Sequence, residues 1–148
     1  LKRKVPIFIK IAPDLTENNI IEILNVCEEN KIAGLIATNT TISPKTLKKP
    51  KHFEGGLSGK PLLKPSNEIL KMLAKRKNAS TTLIGVGGIL SAKDIYEKIR
   101  LGASAVQLYT GFVYYGPRHI KKMEIELKNL LLNDGYSSID QAVGTLIR

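Results

Sequence analysis

The chain has 148 residues, 43% of them hydrophobic, which is enough for one domain with a packed core. Its single cysteine, Cys27, excludes an internal disulfide, and no apolar run approaches the roughly 18 residues of a membrane-spanning helix. The formal net charge of +10 raises the question of a nucleic-acid partner, but the densest basic run, SPKTLKKPKHF (43–53), does not support one. Its Lys45, Lys48, Lys49 and Lys51 precede the one aromatic, Phe53, instead of alternating with rings on which bases could stack. The run reads as a solvated loop, and its charge as a weak attraction to anionic membrane at most.

The first segment, LKRKVPIFIKIAPD (1–14), puts basic residues ahead of an apolar stretch, as a secretion signal does. The stretch is short, contains Lys10 and breaks at Pro13 without a small-residue cleavage pattern, so it reads as a strand over 5–11. A helix over about 16–30 follows, with Asp14 and Glu17 at cap spacing and Ile20, Ile21, Leu24 and Cys27 as its apolar stripe. AGLIATN (33–39) is the second strand. A long polar loop leads to a helix from Ser66 through Lys77 that turns Ile69, Leu70 and Leu73 inward. TTLIGV (81–86) is the third strand and runs into a helix opened by Ser91 and Asp94, again at cap spacing. SAVQLYT (104–110) is the fourth, followed by a long helix ending near Gly135 and a short one begun by Ser138 and Gln141.

This alternation of strand and helix, with continuously apolar strands of the kind buried on both faces, predicts an α/β fold with a parallel sheet. A doubly wound sheet and part of a (β/α)8 barrel both satisfy the pattern. A complete barrel takes about 250 residues, so this chain would supply half of one.

The stretch TTLIGVGGILSAKD (81–94) places Gly85, Gly87 and Gly88 between a strand and a helix. The dinucleotide fingerprint fails there because Leu90 stands where the third glycine belongs. GGLSGKP (55–61) fails as a Walker loop, with Glu54 and Pro61 at positions that need Gly and Ser or Thr. What is left is a strand, two glycines and a capped helix, and about twenty residues later a second strand ending QLYTG. In a barrel, the loops after the last two strands and a nearby helix N-terminus form a frequent phosphate site. Amides of Gly88, Tyr109 and Thr110 would then converge on one phosphate; the competing reading is a tight turn with no ligand.

Lys10 is the second anomaly. It lies inside IFIKIAP near the strand's C-terminal end, where a buried lysine needs an anionic partner and an edge lysine reaches water. Thr38, Asn39 and Thr40 end the second strand, and Ser58 and Gly59 offer a hydroxyl and an amide from the long loop. His52 and His119 have no second ligand at metal spacing, so no metal site is expected. Cys27, on a helical apolar stripe, reads as core.

In order, KIAPDL (10–15), ATNTT (37–41), GGLSGKPL (55–62), IGVGGI (84–89), GASAVQLYTG (102–111) and YYGP (114–117) closely resemble the second half of the dihydroorotate dehydrogenase family, in its membrane-associated, quinone-using class. The resemblance covers essentially the whole chain. It implies the second half of an FMN-binding (β/α)8 TIM barrel: a single domain over 1–148 with four βα units and a C-terminal helix. The implied activity is oxidation of dihydroorotate to orotate in pyrimidine synthesis, with hydride passing to flavin and electrons to quinone.

Residue by residue, the resemblance assigns FMN contacts to Lys10, Thr38, Gly59, Gly88, Tyr109 and Thr110, with Ser58 and Gly87 as neighbours. It puts Asn39 and Thr40 against the substrate. The family's catalytic base, a serine after the fourth strand, has no counterpart in this sequence, and neither do the N-terminal helices that touch membrane and quinone. The implied localisation is peripheral, on the inner mitochondrial or bacterial cytoplasmic membrane. Another FMN barrel oxidoreductase, or a basic binding module without catalysis, are the alternatives, and a flavin absorbance band separates the last from the others.

Overall fold

The structure is a computed structural model that describes residues 5–43 and 55–147. The basic run from Lys45 to Phe53, with His52, lies outside the described residues.

Four strands, β1 (Phe8–Ile11), β2 (Gly34–Ala37), β3 (Thr82–Val86) and β4 (Ala105–Gln107), form one parallel sheet in chain order. Between and after them run α1 (Glu17–Glu29), α2 (Leu63–Arg76), α3 (Ala92–Arg100), α4 (Thr110–Tyr115), α5 (Pro117–Asn133) and α6 (Ile139–Ala142). The expected order and parallel pairing are therefore present, though each strand is shorter than its apolar run.

The register divides the sheet's two faces. Ile9 stands beside Leu35 and Leu83, and the next row is Lys10, Ile36, Ile84 and Ala105. Because side chains alternate along a strand, Leu35, Leu83 and Ala37 share the helix-covered face, where all three are fully buried. They pack with Ile11, with Ile20, Leu24 and Cys27 of α1 and with Leu70 and Leu73 of α2. The other face is open: Lys10, Ala105 and Gln107 are exposed, and Ile36 and Ile84 only half-buried. Burial on both faces, expected from the continuous apolar runs, is thus found on one. In a closed barrel the open face lines the interior, and four strands leave it uncovered.

Several element ends differ from the sequence reading for local reasons. Thr16, not Asp14, caps α1, its side chain accepting from the Asn19 amide. α2 begins ahead of Ser66 because Lys60–Leu62 form a 3-10 turn that leads into it. The long helix predicted up to Gly135 is two helices, α4 and α5, divided at Gly116 with φ +70°. Pro117 follows as the first residue of α5, where its missing N–H leaves no helical bond unmade. Thr110 consequently opens a helix instead of ending a strand. Ser91 does cap α3, accepting from the Asp94 amide as its spacing predicts.

A second core joins Ile95, Tyr96 and Ile99 of α3 to Met123 and Leu131 of α5 and Ala142 of α6. The chain after α6 returns to α3, where the amides of Gly144 and Leu146 bond the carbonyls of Ile99 and Arg100. Those carbonyls belong to the last turn of α3 and have no partner within the helix.

Candidate functional site

Past the C-terminal ends of the strands, the loops close on one cleft of about 210 Å3. All ten residues nominated from the sequence line it: Lys10, Thr38, Asn39, Thr40, Ser58, Gly59, Gly87, Gly88, Tyr109 and Thr110. Leu62, Val86, Ile89 and Leu108 add apolar wall that the sequence reading did not nominate. Cavities that enclose a drug-sized ligand run to about 300–1,000 Å3, so this cleft is smaller than a closed site of that kind.

Backbone bonds build the cleft. The Thr38 amide donates to Val86 O at 3.0 Å and the Asn39 amide to Ile11 O at 2.7 Å, which stitches the end of β2 between β1 and β3. Thr38 is buried, and the Ala37–Thr38 peptide is cis. Thr41 and Leu57 exchange amide–carbonyl bonds of 3.1 and 2.7 Å, so the long loop folds back and returns Ser58 and Gly59 to the cleft. Asp14, first read as a helix cap, braces this fold: its carboxylate accepts from the Thr41 hydroxyl and, at 3.0 Å, from the Ile42 amide. The Thr110 hydroxyl then donates to Ser58 Oγ at 3.0 Å, tying the loop after β2 to the start of α4.

The glycines after β3 have an internal explanation. Gly88 has φ +75°, and a Cβ there would overlap the backbone N and Cα of Leu63 and lie 2.5 Å from its Cβ. At Gly87 a Cβ would come within 3.0 Å of Ser66 Oγ. The turn is pressed against the start of α2, so it requires glycine whether or not a ligand binds. It nevertheless leaves donors unused: among the described residues, no acceptor pairs with the amides of Gly88 and Tyr109.

Charge at the site follows from the open face. Lys10 is exposed, and among the described residues no carboxylate lies within ion-pair distance of it. The buried lysine of the fold is a different one. Lys98 on α3 is fully buried, its Nζ donating to Ser66 Oγ and Asn67 Oδ1, each at 2.7 Å. Burial pushes its pKa down to about 8 against the upward pull of Glu97 and Asp94. The signal was available in the spacing of Ile95, Lys98 and Ile99, which puts the lysine on α3's inward stripe.

Asp94, also buried, accepts from the Leu90 amide and the Ser91 hydroxyl and pairs with Lys60 at 3.0 Å. Burial pushes its pKa up, but the Leu90 amide, Lys60 and Ser91 together outweigh that and hold it below the ordinary carboxylate value. Lys60 follows Gly59 directly, so this pair pins the cleft's loop to α3.

Other nominated groups stand apart from this chemistry. Cys27 is core, its thiol pKa raised by burial and by neighbouring Glu28. His119 Nε2 lies 2.8 Å from Leu90 O, and its ring rests against Tyr115. Among the described residues, no three His, Cys, Asp or Glu side chains form a metal-binding group.

A parallel sheet in chain order, helices on one face and a cleft at the C-terminal strand ends, is the construction of a (β/α)8 barrel, here in four of its units. The chain belongs to the dihydroorotate dehydrogenase family, whose model matches residues 2–131. It is 54% identical over 121 residues to a protein named dihydroorotate dehydrogenase (quinone) from Christiangramia forsetii, covering 81% of this chain and 36% of that protein. A protein of the same name from Myxococcus xanthus is 44% identical over 140 residues, covering 94% and 38%. The crystal structure of DHODH from Eimeria tenella in complex with ferulenol superposes with a TM-score of 0.91 at 40% identity, over 99% of this chain and 39% of that one. The chain thus spans about two-fifths of the length of these relatives. Among the described residues, no helix is long and apolar enough to cross a membrane.

Proposed function

We propose that this chain is the second half of a single FMN-binding (β/α)8 barrel domain of a quinone-dependent dihydroorotate dehydrogenase, which oxidises dihydroorotate to orotate. The observation that carries this reading is the convergence of all ten nominated residues on one cleft, from four separate strand ends. The donor set suits FMN. The amides of Gly88 and Tyr109, unused among the described residues, with that of Thr110 at the start of α4, suit its phosphate, and among the described residues no carboxylate pairs with Lys10.

Bound FMN supplies the hydride acceptor. Lys10 would place a fixed cation beside the bound ring, where it favours added negative charge and so contributes more to the transition state than to the ground state. Thr38, Ser58, Gly59, Gly87, Tyr109 and Thr110 orient the cofactor, and Asn39 and Thr40 offer amide and hydroxyl groups to the substrate's carboxylate and ring. No residue of this chain is assigned as the base that takes the substrate's proton. Quinone would be the final acceptor of the electrons, met at a membrane surface on which the protein would sit peripherally.

The test is direct. The intact protein should purify yellow, release FMN on denaturation, bleach with dihydroorotate under anaerobic conditions and recover colour with a quinone. Failure to bind flavin after incubation with FMN refutes this function and favours a basic binding module. Flavin that dihydroorotate does not bleach points to another FMN barrel oxidoreductase.

A further inference from the structure

Lys98 has no part in the function proposed above, yet the fold makes specific room for it. Its stem runs behind β3, where a Cβ at Gly85 would lie 3.0 Å from Lys98 Cδ and 3.3 Å from its Cβ. A glycine in a strand is unfavourable, and here it admits a lysine. The buried ammonium then meets two neutral oxygens, Ser66 Oγ and Asn67 Oδ1, and, among the described residues, no carboxylate within hydrogen-bond distance. Buried lysines ordinarily sit beside an anion.

Ser66 connects this cation to the cleft. Its Oγ lies 3.1 Å from Leu63 O and 3.2 Å from Gly87 O, and Gly87 lines the cleft. We infer that Lys98 is a positioning residue for an anion site: through Ser66 it fixes the Gly87–Gly88 turn, and its charge favours a phosphate-bearing ligand over the same ligand without phosphate. The inference rests on the reading that this turn receives the FMN phosphate.

The chemistry gives it a pH dependence. A protonated lysine has three donors and no acceptor, so Ser66 accepts from it and has its own hydrogen free for Leu63 O or Gly87 O. A neutral amine has a lone pair that can take that hydrogen, which releases the Gly87 carbonyl and removes the cation together. With Lys98 titrating near 8 in the absence of ligand, phosphate affinity is highest below that pH and falls above it. A one-unit rise of that pKa on binding corresponds to about a tenfold loss of affinity from the protonated to the neutral protein.

The charged groups around Lys98 are Asp94 and Glu97 on its own helix, with Lys60 paired to Asp94. From α2, Lys64, Glu68 and Lys71 line a separate groove together with Glu97, apart from the cleft at the strand ends. Gly85 of β3 and Ala103 ahead of β4 add none.

The experiment is a fluorescence titration of the flavin-stripped intact protein with FMN and with riboflavin, which lacks the phosphate, from pH 7 to 10. The phosphate is a dianion throughout this range, and the ratio of the two affinities cancels groups that touch only the ring, Lys10 among them. The native protein should lose about tenfold of its preference for FMN as pH rises through this range. Lys98→Met should show the reduced preference at every pH with riboflavin affinity retained. Ser66→Ala leaves the cation but cuts its link to the turn, so it should lower the FMN preference below pH 8 and keep part of its pH dependence, and it carries the test if Lys98→Met does not fold. An FMN preference unchanged in both variants, a flat native profile, or equal losses for FMN and riboflavin overturns the inference. A native protein that binds neither flavin overturns the parent function instead.

Discussion

Replacing Gly88 by alanine separates what the turn needs for folding from what it offers a ligand. At φ +75° an alanine enters the left-handed region at a cost of about 1–2 kcal/mol. Its methyl would also overlap the N and Cα of Leu63. Those are backbone atoms at the start of α2 and cannot rotate aside, so α2 or the turn must shift, an overpacking cost of about 1–3 kcal/mol. The sum, about 2–5 kcal/mol, is a large share of the 5–15 kcal/mol that holds a typical domain together.

Gly116 is the control. With φ +70° and ψ −177° it lies in a region essentially confined to glycine, but a Cβ there meets nothing within 4 Å, so Gly116→Ala bears a conformational cost of about 1–3 kcal/mol and no packing cost. Urea denaturation of the intact protein, with m unchanged across the set, compares the three midpoints. The order expected is native, Gly116→Ala, then Gly88→Ala, with the last also losing flavin because the displaced turn lines the cleft. Equal midpoints for the two variants would show that the contact with Leu63 relaxes freely, and the packing explanation of Gly88 would fall.

Three other outcomes follow from the same geometry. Lys10→Ala should slow stopped-flow bleaching of the flavin by dihydroorotate about a hundredfold, the effect of losing one charge-stabilising donor worth about 3 kcal/mol; Lys10→Arg should not restore it, because a planar fork meets a different geometry. Bleaching at the native rate in Lys10→Ala with full FMN content would leave this lysine without a part in the chemistry. Asp14→Ala releases Thr41 and the Ile42 amide, and about 1 kcal/mol of lost anchoring should raise KM for dihydroorotate about fivefold at constant FMN content; a loss of flavin instead would put Asp14's brace under the cofactor. Asp94 has a folded pKa below its ordinary 3.8, so it stabilises the protein above that value and the contribution is lost as pH falls through the folded pKa. Asp94→Asn should therefore narrow the gap to the native protein in acid unfolding below pH 3.8, and parallel curves would contradict the assignment.

The strand order and the lining of the cleft were legible because both are written locally. Each apolar run ended in residues with distinctive chemistry, and a parallel barrel collects strand ends whatever the loops between them do. Helix boundaries were less legible: the long helix read up to Gly135 runs through YYGP, yet Gly116 divides it, with α4 ending at Tyr115 and α5 beginning at Pro117. Asp14 sat at cap spacing, but its carboxylate is used across the loop by Thr41 and Ile42, a pairing 27 and 28 residues distant that no local pattern carries. The glycines were legible only in part. A missing side chain records close approach without saying what approaches, and at Gly88 the neighbour is Leu63 of the chain itself.

The two lysines show where position and burial trade places. Lys10 stands out in the sequence because it interrupts an apolar run, and in the structure it is exposed on the open face of an edge strand. Lys98 is inconspicuous among the charges of DIYEKIR, and it is the one sealed from water. The interaction of either cation with a ligand scales inversely with the local dielectric, so moving from water at about 80 to an effective protein value of about 20 strengthens it fourfold. Lys98 already has that environment behind its turn. Lys10 acquires it only where the sheet's inner face and the cleft are covered, by ligand or by protein. Its effect on flavin reduction should therefore be lost by degrees as ionic strength rises in a partly open site and persist in a closed one, since screening reaches exposed charges and spares buried ones. A bleaching rate measured against salt, in the native protein and in Lys10→Ala, reports which of the two sites the intact protein forms.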